Sequence, residues 1–381
     1  MRFGALVALA IVGCGGGDDG GPPVVVGDCG SLGAVGEWQK ITPPDIVVQS
    51  GDKLQAFAFA VDPVNSGTVY FGTAYQHQWK STDCGSTWAP GDSGRNGEAW
   101  NHAMNWTFVV DPIEPNVVYT NSGYGDHGSG LWKSIDSGAN WDAAWPPANQ
   151  PELDGHLTYN FANVLVMDPA DHKHLILTFH ETCMLDGAQT CIAESKDAGT
   201  TWKLIAGQAD WNGGEGQILY FLDASDHWIW GSQTNGFYRT ENGGASWTQL
   251  KDEHDMVFST SHLQGSGMYR TAADVYYLAA ANGLYRSTDA GKTWTSIPDT
   301  GPISGGMLGD GETLYTSRCY FGGFCQERTD FLLTSPESDG LTWTVLPSPP
   351  MTEGGSLGFD KGHDLLFSSN GADGFWRVRT R

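Results

Sequence analysis

Five of the 11 histidines, His77, His102, His127, His156 and His180, fall in predicted loops among aromatic and acidic side chains. Around them stand Tyr75, Trp100, Asn101, Asn105, Tyr124, Asp126, Tyr159 and Glu181. These residue types support three kinds of site. Several neutral imidazoles with Glu181 or Asp126 can hold a divalent metal. Alternatively, Tyr75, Trp100, Tyr124 and Tyr159 can stack on sugar faces while carboxylates or His–Tyr pairs serve as acid and base. In the third reading the histidines only hydrogen-bond around a solvated polar mouth. None of them has the tight spacing of a metal motif. The glycan cleft is therefore the leading expectation, with no cofactor required and a divalent metal at the histidine loops as the variant. On that reading His102, His180, Glu181, Tyr159 and Asp126 are the candidates for catalysis. Tyr75, His77, Trp100, Asn101, Asn105, Tyr124 and His127 are the candidates for ligand binding, joined by Arg318 from far along the chain.

Residues this scattered need a scaffold, and a repeat supplies it. The stretch Ser287-Thr288-Asp289-Ala290-Gly291-Lys292-Thr293-Trp294 recurs from Ser81, Ser134, Ser195 and Thr240, and from Ser335 in a form one residue longer. Each copy carries a hydroxyl, an acidic or amide group, a glycine and a tryptophan. A period of roughly 45–60 residues marks an array of small β-sheets, most often propeller blades. No long apolar pattern of helical period accompanies it, so the fold class is all-β. Glu37-Trp38-Gln39-Lys40-Ile41-Thr42-Pro43 looks like the strand that comes after each repeat tryptophan, so the chain opens with the end of a blade. The C-terminus supplies three strands and no fourth. Placing the N-terminal strand outermost in that last sheet closes a ring of seven four-stranded antiparallel blades and removes exposed edges. Residues 37–381 then give about 49 residues per blade.

In each repeat the acidic side chain can accept backbone N–H groups of its own turn, and glycine permits a positive φ. The tryptophan returns to pack between sheets. These residues resemble the Asp-box, or BNR repeat, found in sialidases, xyloglucanase-type glycoside hydrolases, sortilin-type receptors and a photosystem II assembly propeller. The resemblance implies that Asp83, Asp136, Asp197 and Asp289 are structural and that binding sits on the opposite face. That face receives the loops entering inner strands and those joining second to third strands, where the histidines gather.

The ends and the cysteines bear on location. Residues 1–13 read as a secretory signal, too short to span a membrane, and Gly13-Cys14 resembles the lipobox of bacterial lipoproteins. Residues 14–36 would be a flexible tether rich in Gly, Asp and Pro. With Cys14 lipidated, six of the seven cysteines remain for disulfides. Cys183 with Cys191 and Cys319 with Cys325 are close neighbours, which leaves Cys29 with Cys84, although spacing alone does not fix connectivity. A formal net charge of -24 argues against nucleic acid as a partner.

The expectation is an exported, membrane-anchored, monomeric propeller lipoprotein that recognises a poly- or oligosaccharide, as a hydrolase or lyase if it is an enzyme. The competing expectation is a non-enzymatic envelope protein whose propeller binds another protein or assembles a complex.

Overall fold

The computed structural model describes residues 25–44, 46, 56–91, 93–98, 103–124, 130–156, 162–180, 182–213, 217–260, 267–301, 303–318, 329–350, 356–371 and 373–381. Among them stand seven four-stranded antiparallel sheets, arranged as a β-propeller. Blade one is typical, with inner strand Ala56–Val61 followed by Val69–Thr73, Gln78–Ser81 and the short outer strand Ala89–Pro90. Blade two begins at Phe108–Val110, blade three at Ala162–Asp168 and blade four at Ile218–Phe221. Blades five and six begin at Met268–Arg270 and Ile303–Gly309. In blade seven, Leu357–Asp360, Leu365–Ser369 and Phe375–Arg379 are completed by Trp38–Lys40, in register Trp38↔Val378 to Lys40↔Trp376. The ring closes through its N-terminal strand, as the sequence requires.

Second strands are buried along their length, Val69–Thr73, Val118–Ser122, Trp228–Ser232, Tyr276–Ala280 and Leu365–Ser369 alike. Both faces of each sheet meet a neighbouring sheet, so burial runs continuously there instead of alternating, and it takes in polar residues such as Thr120, Asn121 and Ser368. Core clusters accordingly join pairs of blades. Tyr119, Leu131 and Trp145 of blade two pack with Leu177 and Trp202 at blade three, and Phe71 of blade one packs with Phe367 and Phe375 of blade seven.

Five of the six repeat turns share one hydrogen-bond pattern. In the first, Ser81 Oγ donates to Asp83 Oδ1 (2.7 Å) and accepts from Gly85 N, while Asp83 also accepts from Thr87 N and Oγ1. Asp136, Asn242, Asp197 and Asp289 repeat the arrangement. Burial opposes ionisation of Asp83, Asp136, Asp197 and Asp289, but these donated hydrogen bonds outweigh it and hold all four below the ordinary carboxylate range. The sixth turn differs, using Asp339 to accept from Thr342 N.

The turns also link blades. The residue after the acid is left-handed, with φ of 61° at Cys84, 59° at Ser137, 56° at Ala198 and 57° at Ala290. That conformation aims its carbonyl at the preceding blade's third strand, whose cation donates to it. Lys80 reaches Ser137 O, Lys133 reaches Ala198 O, Arg239 reaches Ala290 O and Arg377 reaches Cys84 O.

Blade three carries Glu194 where its neighbours have the cation. Here His174 bridges two carboxylates, Asp168 at 3.0 Å and Glu194 at 2.9 Å, and packs against Phe221 and Trp228 of blade four. Burial of His174 works against its charge, but hydrogen bonds to Glu194 and Asp168 and their negative charge prevail, raising it above its ordinary value. The hydrogen bond from His174 in turn holds Glu194 low. His172, His227 and His363 likewise pair with Asp111, Asp223 and Asp360.

Residues 25–36, expected to belong to the tether, lie on the propeller. Val25–Val26 pairs in parallel with Asn65–Ser66, and Cys29 is 3% exposed in its disulfide with Cys84. The second disulfide joins Cys183 and Cys191. Cys14, Cys319 and Cys325 lie outside the described residues.

Candidate functional site

The face opposite the repeat turns is assembled around residues 103–105, which enter blade two. Met104 forms isolated bridges with Ala74 on one side and Gly123 on the other, so it spans the ends of the second strands of blades one and two. Tyr75 N donates to Ala103 O (2.9 Å), and Met104 and Gly123 exchange N–H···O bonds of 2.8 and 2.9 Å. Gly72 makes this approach feasible, because a Cβ there would stand 2.5 Å from the Asn105 Cβ.

With the backbones clamped, the next residues project Tyr75 and Tyr124 from equivalent positions of two blades. Both are left-handed, with φ of 62° and 52°, and His77 follows at 69°. Bulky residues rarely adopt this region, at a cost on the order of 1–3 kcal/mol each, and such outliers gather at functional sites. Tyr75 Oη donates to Tyr124 O (3.2 Å), and Tyr124 Oη lies 2.8 Å from His180 Nε2 at the end of blade three's second strand. The Tyr124 ring meets His180 edge-on at 5.2 Å and Trp106 at 6.0 Å. Tyr124 is 48% exposed whereas His180 is 3% exposed. The result is an aromatic track across three blades, ending on a hydroxyl–imidazole pair close enough to pass a proton.

A small loop follows His180 and is closed on itself. Cys183–Cys191 closes it, Cys183 N donates to Gln189 O, and Gly213 packs against Thr182 with no room for a Cβ. His180 lies three residues before this closed loop.

Other expected site residues are placed differently. Asn105 is 1% exposed, and its amide donates to Asn121 O and Thr120 Oγ1, so it holds the strand ends together beneath the surface. His77 stands edge-on to Trp79 within blade one. Arg318 is on blade six, where its guanidinium donates to Asp299 O (2.6 Å) and pairs with Asp330 (3.4 Å), bracing two loops. Trp100, Asn101, His102, Asp126, His127, Tyr159 and Glu181 lie outside the described residues. Trp106 and Met104 were missed as contributors. Both flank Asn105, which was expected at the site, and the match of Ala74-Tyr75 with Gly123-Tyr124 across the repeat would have drawn attention to them.

No protein-family model matches the chain. A xyloglucanase from Paenibacillus sp is 29% identical over 178 residues, which covers 40% of this chain and 16% of that protein. YCF48 from Cyanidioschyzon merolae is similar in structure, with a TM-score of 0.55 at 14% identity, covering 91% of this chain and 99% of the other. YCF48 bound to a D1 peptide matches at 0.51 and 14%, over 90% of this chain and 97% of that one. An ancestral GH74 enzyme matches at 0.51 and 13%, over 92% of this chain and 55% of its own. The chain thus spans 16% of the xyloglucanase and about half of the GH74 structure, but nearly all of YCF48. It is a seven-bladed propeller with GH74 and YCF48-like neighbours.

Proposed function

We propose that the chain recognises a carbohydrate on the loop face opposite the repeat turns and acts on it by acid–base chemistry. The track Tyr75–Tyr124–His180 carries this reading, and the partial likeness to a xyloglucanase supports it. Exposed aromatic rings stack on the apolar faces of sugars. The Tyr124 hydroxyl, polarised by His180, serves as proton donor or acceptor at the glycosidic position. The complementary acid would come from Glu181, Asp126 or His102. This scheme needs no metal, and a stoichiometric divalent ion in the purified protein would favour the histidine-loop metal site instead.

In the same proposal the repeat turns are Asp-boxes, residues 1–13 are a signal peptide, and Cys14 carries the lipid anchor of an exported protein. Mass spectrometry showing an unmodified Cys14 at the mature N-terminus would remove the anchor.

A glycan array combined with a polysaccharide-digestion screen tests the central reading. Tyr124→Ala should weaken binding of any hit by about tenfold or more. Tyr124→Phe should keep the affinity and lower turnover by about 100-fold. A wild-type protein silent on every glycan defeats this reading. A second reading, a peptide-binding propeller, is favoured by the near-complete overlap with YCF48, one structure of which holds a peptide. Silence on glycans together with saturable peptide binding that depends on Tyr124 would select it.

A further inference from the structure

The face bearing the repeat turns holds a second cluster of chemistry-bearing groups, at the seam between blades seven and one. Cys29 and Cys84 are buried there in their disulfide, 3% and 0% exposed, beside Asp360 at 2% and Ser66 at 4%. His363 completes the group. Its ligand nitrogen and both cysteine sulfurs lie within 4.8 Å of one another. Nδ1 stands 3.7 Å from Cys84 Sγ and 3.1 Å from Asp360 Oδ2, which is itself 3.8 Å from Cys84 Sγ.

The hydrogen bonds around the ring orient it. Nε2 lies 2.9 Å from Gly27 O, a carbonyl that can only accept, so the proton sits on Nε2. Nδ1 then faces Ser66 Oγ at 2.7 Å and Asp360 Oδ2 at 3.1 Å. Ser66 has one proton, and its shorter contact is with Asp360 Oδ1 at 2.6 Å. Nδ1, Asp360 Oδ2 and Cys84 Sγ thus stand together, the three atoms that a metal ion would draw onto itself. Gly67 N and Gly362 N fix the carboxylate from the other side at 2.8 and 2.9 Å.

We propose that, once the disulfide is reduced, Cys29, Cys84, His363 and Asp360 form a zinc site. Bonds of about 2.0–2.3 Å to a tetrahedral zinc place ligand atoms about 3.3–3.8 Å apart. The two separations from Cys84 Sγ, 3.7 Å to His363 and 3.8 Å to Asp360, already match that edge. The sulfurs would have to part to a similar distance, and Nδ1 and Oδ2, 3.1 Å apart, to open slightly. The outer partners a zinc histidine requires are in place, with Gly27 O on the far nitrogen and Ser66 and two amides on the carboxylate. The exchange balances simply. A dithiol gives two electrons and two protons to the disulfide and becomes a disulfide itself. Zinc then replaces the two thiol protons. A disulfide-class oxidant reverses this by withdrawing two electrons from the thiolates, reforming the S–S bond and releasing the ion. In either state the segment at Gly27 and Cys29 stays fastened to blade one.

The full chain, reduced anaerobically with a phosphine and freed of it, is titrated with cobalt(II) and then zinc. One cobalt per chain with tetrahedral d–d bands and thiolate charge transfer, displaced by zinc, is expected. The oxidised protein should show neither band. His363→Ala should weaken binding at least ~10-fold, while Cys183→Ser with Cys191→Ser should leave it unchanged. If His363→Ala fails to fold, Asp360→Asn serves in its place with the same expected loss. Absence of thiolate bands in the reduced protein overturns the proposal. So do bands whose affinity is indifferent to the His363 or Asp360 change, since they would belong to other cysteines.

Discussion

Replacing His174 by Phe isolates the electrostatics of the seam between blades three and four. The ring would keep its packing against Phe221 (5.1 Å) and Trp228 (6.4 Å), so no large cavity opens. Asp168 and Glu194, with side chains 3% and 13% exposed, would lose the group between them. Removing one partner of a buried ionic set costs about 3–5 kcal/mol. Lys196, 3.3 Å from Glu194 but 72% exposed, supplies part of the missing charge, which places the expected loss near the lower end, about 3 kcal/mol. At roughly 2–4 °C per kcal/mol for a large domain, the melting temperature should fall by about 6–12 °C.

The loss should depend on pH with a definite sign. An imidazole whose folded pKa is raised contributes fully below its unfolded value near 6.5, and its contribution fades as pH rises through the raised folded value. A carboxylate held low contributes above its unfolded value near 4.5 and fades as pH falls through the depressed one. The gap between wild type and His174→Phe should therefore be widest between those two values and narrow toward alkaline pH. Thermal melts monitored by near-UV circular dichroism across that range measure it. Adding Glu194→Gln should restore part of the loss. A gap that is constant with pH, or a variant as stable as wild type, would show that His174 acts only by packing.

Asp289→Ala removes the acceptor of the Thr293 and Lys292 amides and should cost about 2 kcal/mol in denaturant titrations, while Lys292→Ala should be nearly neutral. Lys133→Met removes the hydrogen bond to Ala198 O and the cation over the Tyr119 ring, lowering stability by about 1–2 kcal/mol, with Lys133→Arg retaining most of it. Breaking Cys29–Cys84, which spans 55 residues, should cost about 4 kcal/mol by loop entropy. Breaking Cys183–Cys191, which spans 8, should cost about 2.5 kcal/mol. Melts of the separate serine variants compare the two.

The architecture was legible because the repeat and the unpaired terminal strands count blades without reference to tertiary structure. Trp38–Lys40 could be placed in blade seven because it matches the outer strands that come after Trp294 and Trp343. Contacts between distant residues were not legible. His172 pairs with Asp111 across 61 positions, and the partners that bury His174 belong to two strands and a neighbouring blade. Composition also misled. Residues 25–36 are rich in glycine and valine, yet the chain there is held by Cys29 and by pairing with Asn65–Ser66, and the expected pairing of Cys29 with Cys84 was the one available signal. At the site, Tyr75 and Tyr124 were legible only as aromatic side chains among histidines, and their equivalent positions in two blades come from the structure. Asn105 and Arg318 looked equally ligand-like, but one-dimensional reading cannot tell a loop side chain that faces solvent from one already claimed by backbone carbonyls.

Strain offers a way to separate function from architecture at Tyr124. A left-handed tyrosine costs on the order of 1 kcal/mol or more that glycine does not, so Tyr124→Gly relieves the backbone. Against this the fold loses one hydrogen bond to His180 and edge contacts with His180 and Trp106, about 1–2 kcal/mol for a ring that is 48% exposed. The two nearly cancel, and the variant should unfold within about 1 kcal/mol of wild type. Tyr119, fully buried with its hydroxyl donating to Ala198 O, has no strain to release, so Tyr119→Ala should cost about 3–5 kcal/mol. A Tyr124→Gly protein that is stable but has lost its ligand would mean that the strained ring is kept for binding. A loss of stability as large as that of Tyr119→Ala would mean that the track is only packing, and the loop face would lose its claim to be the site.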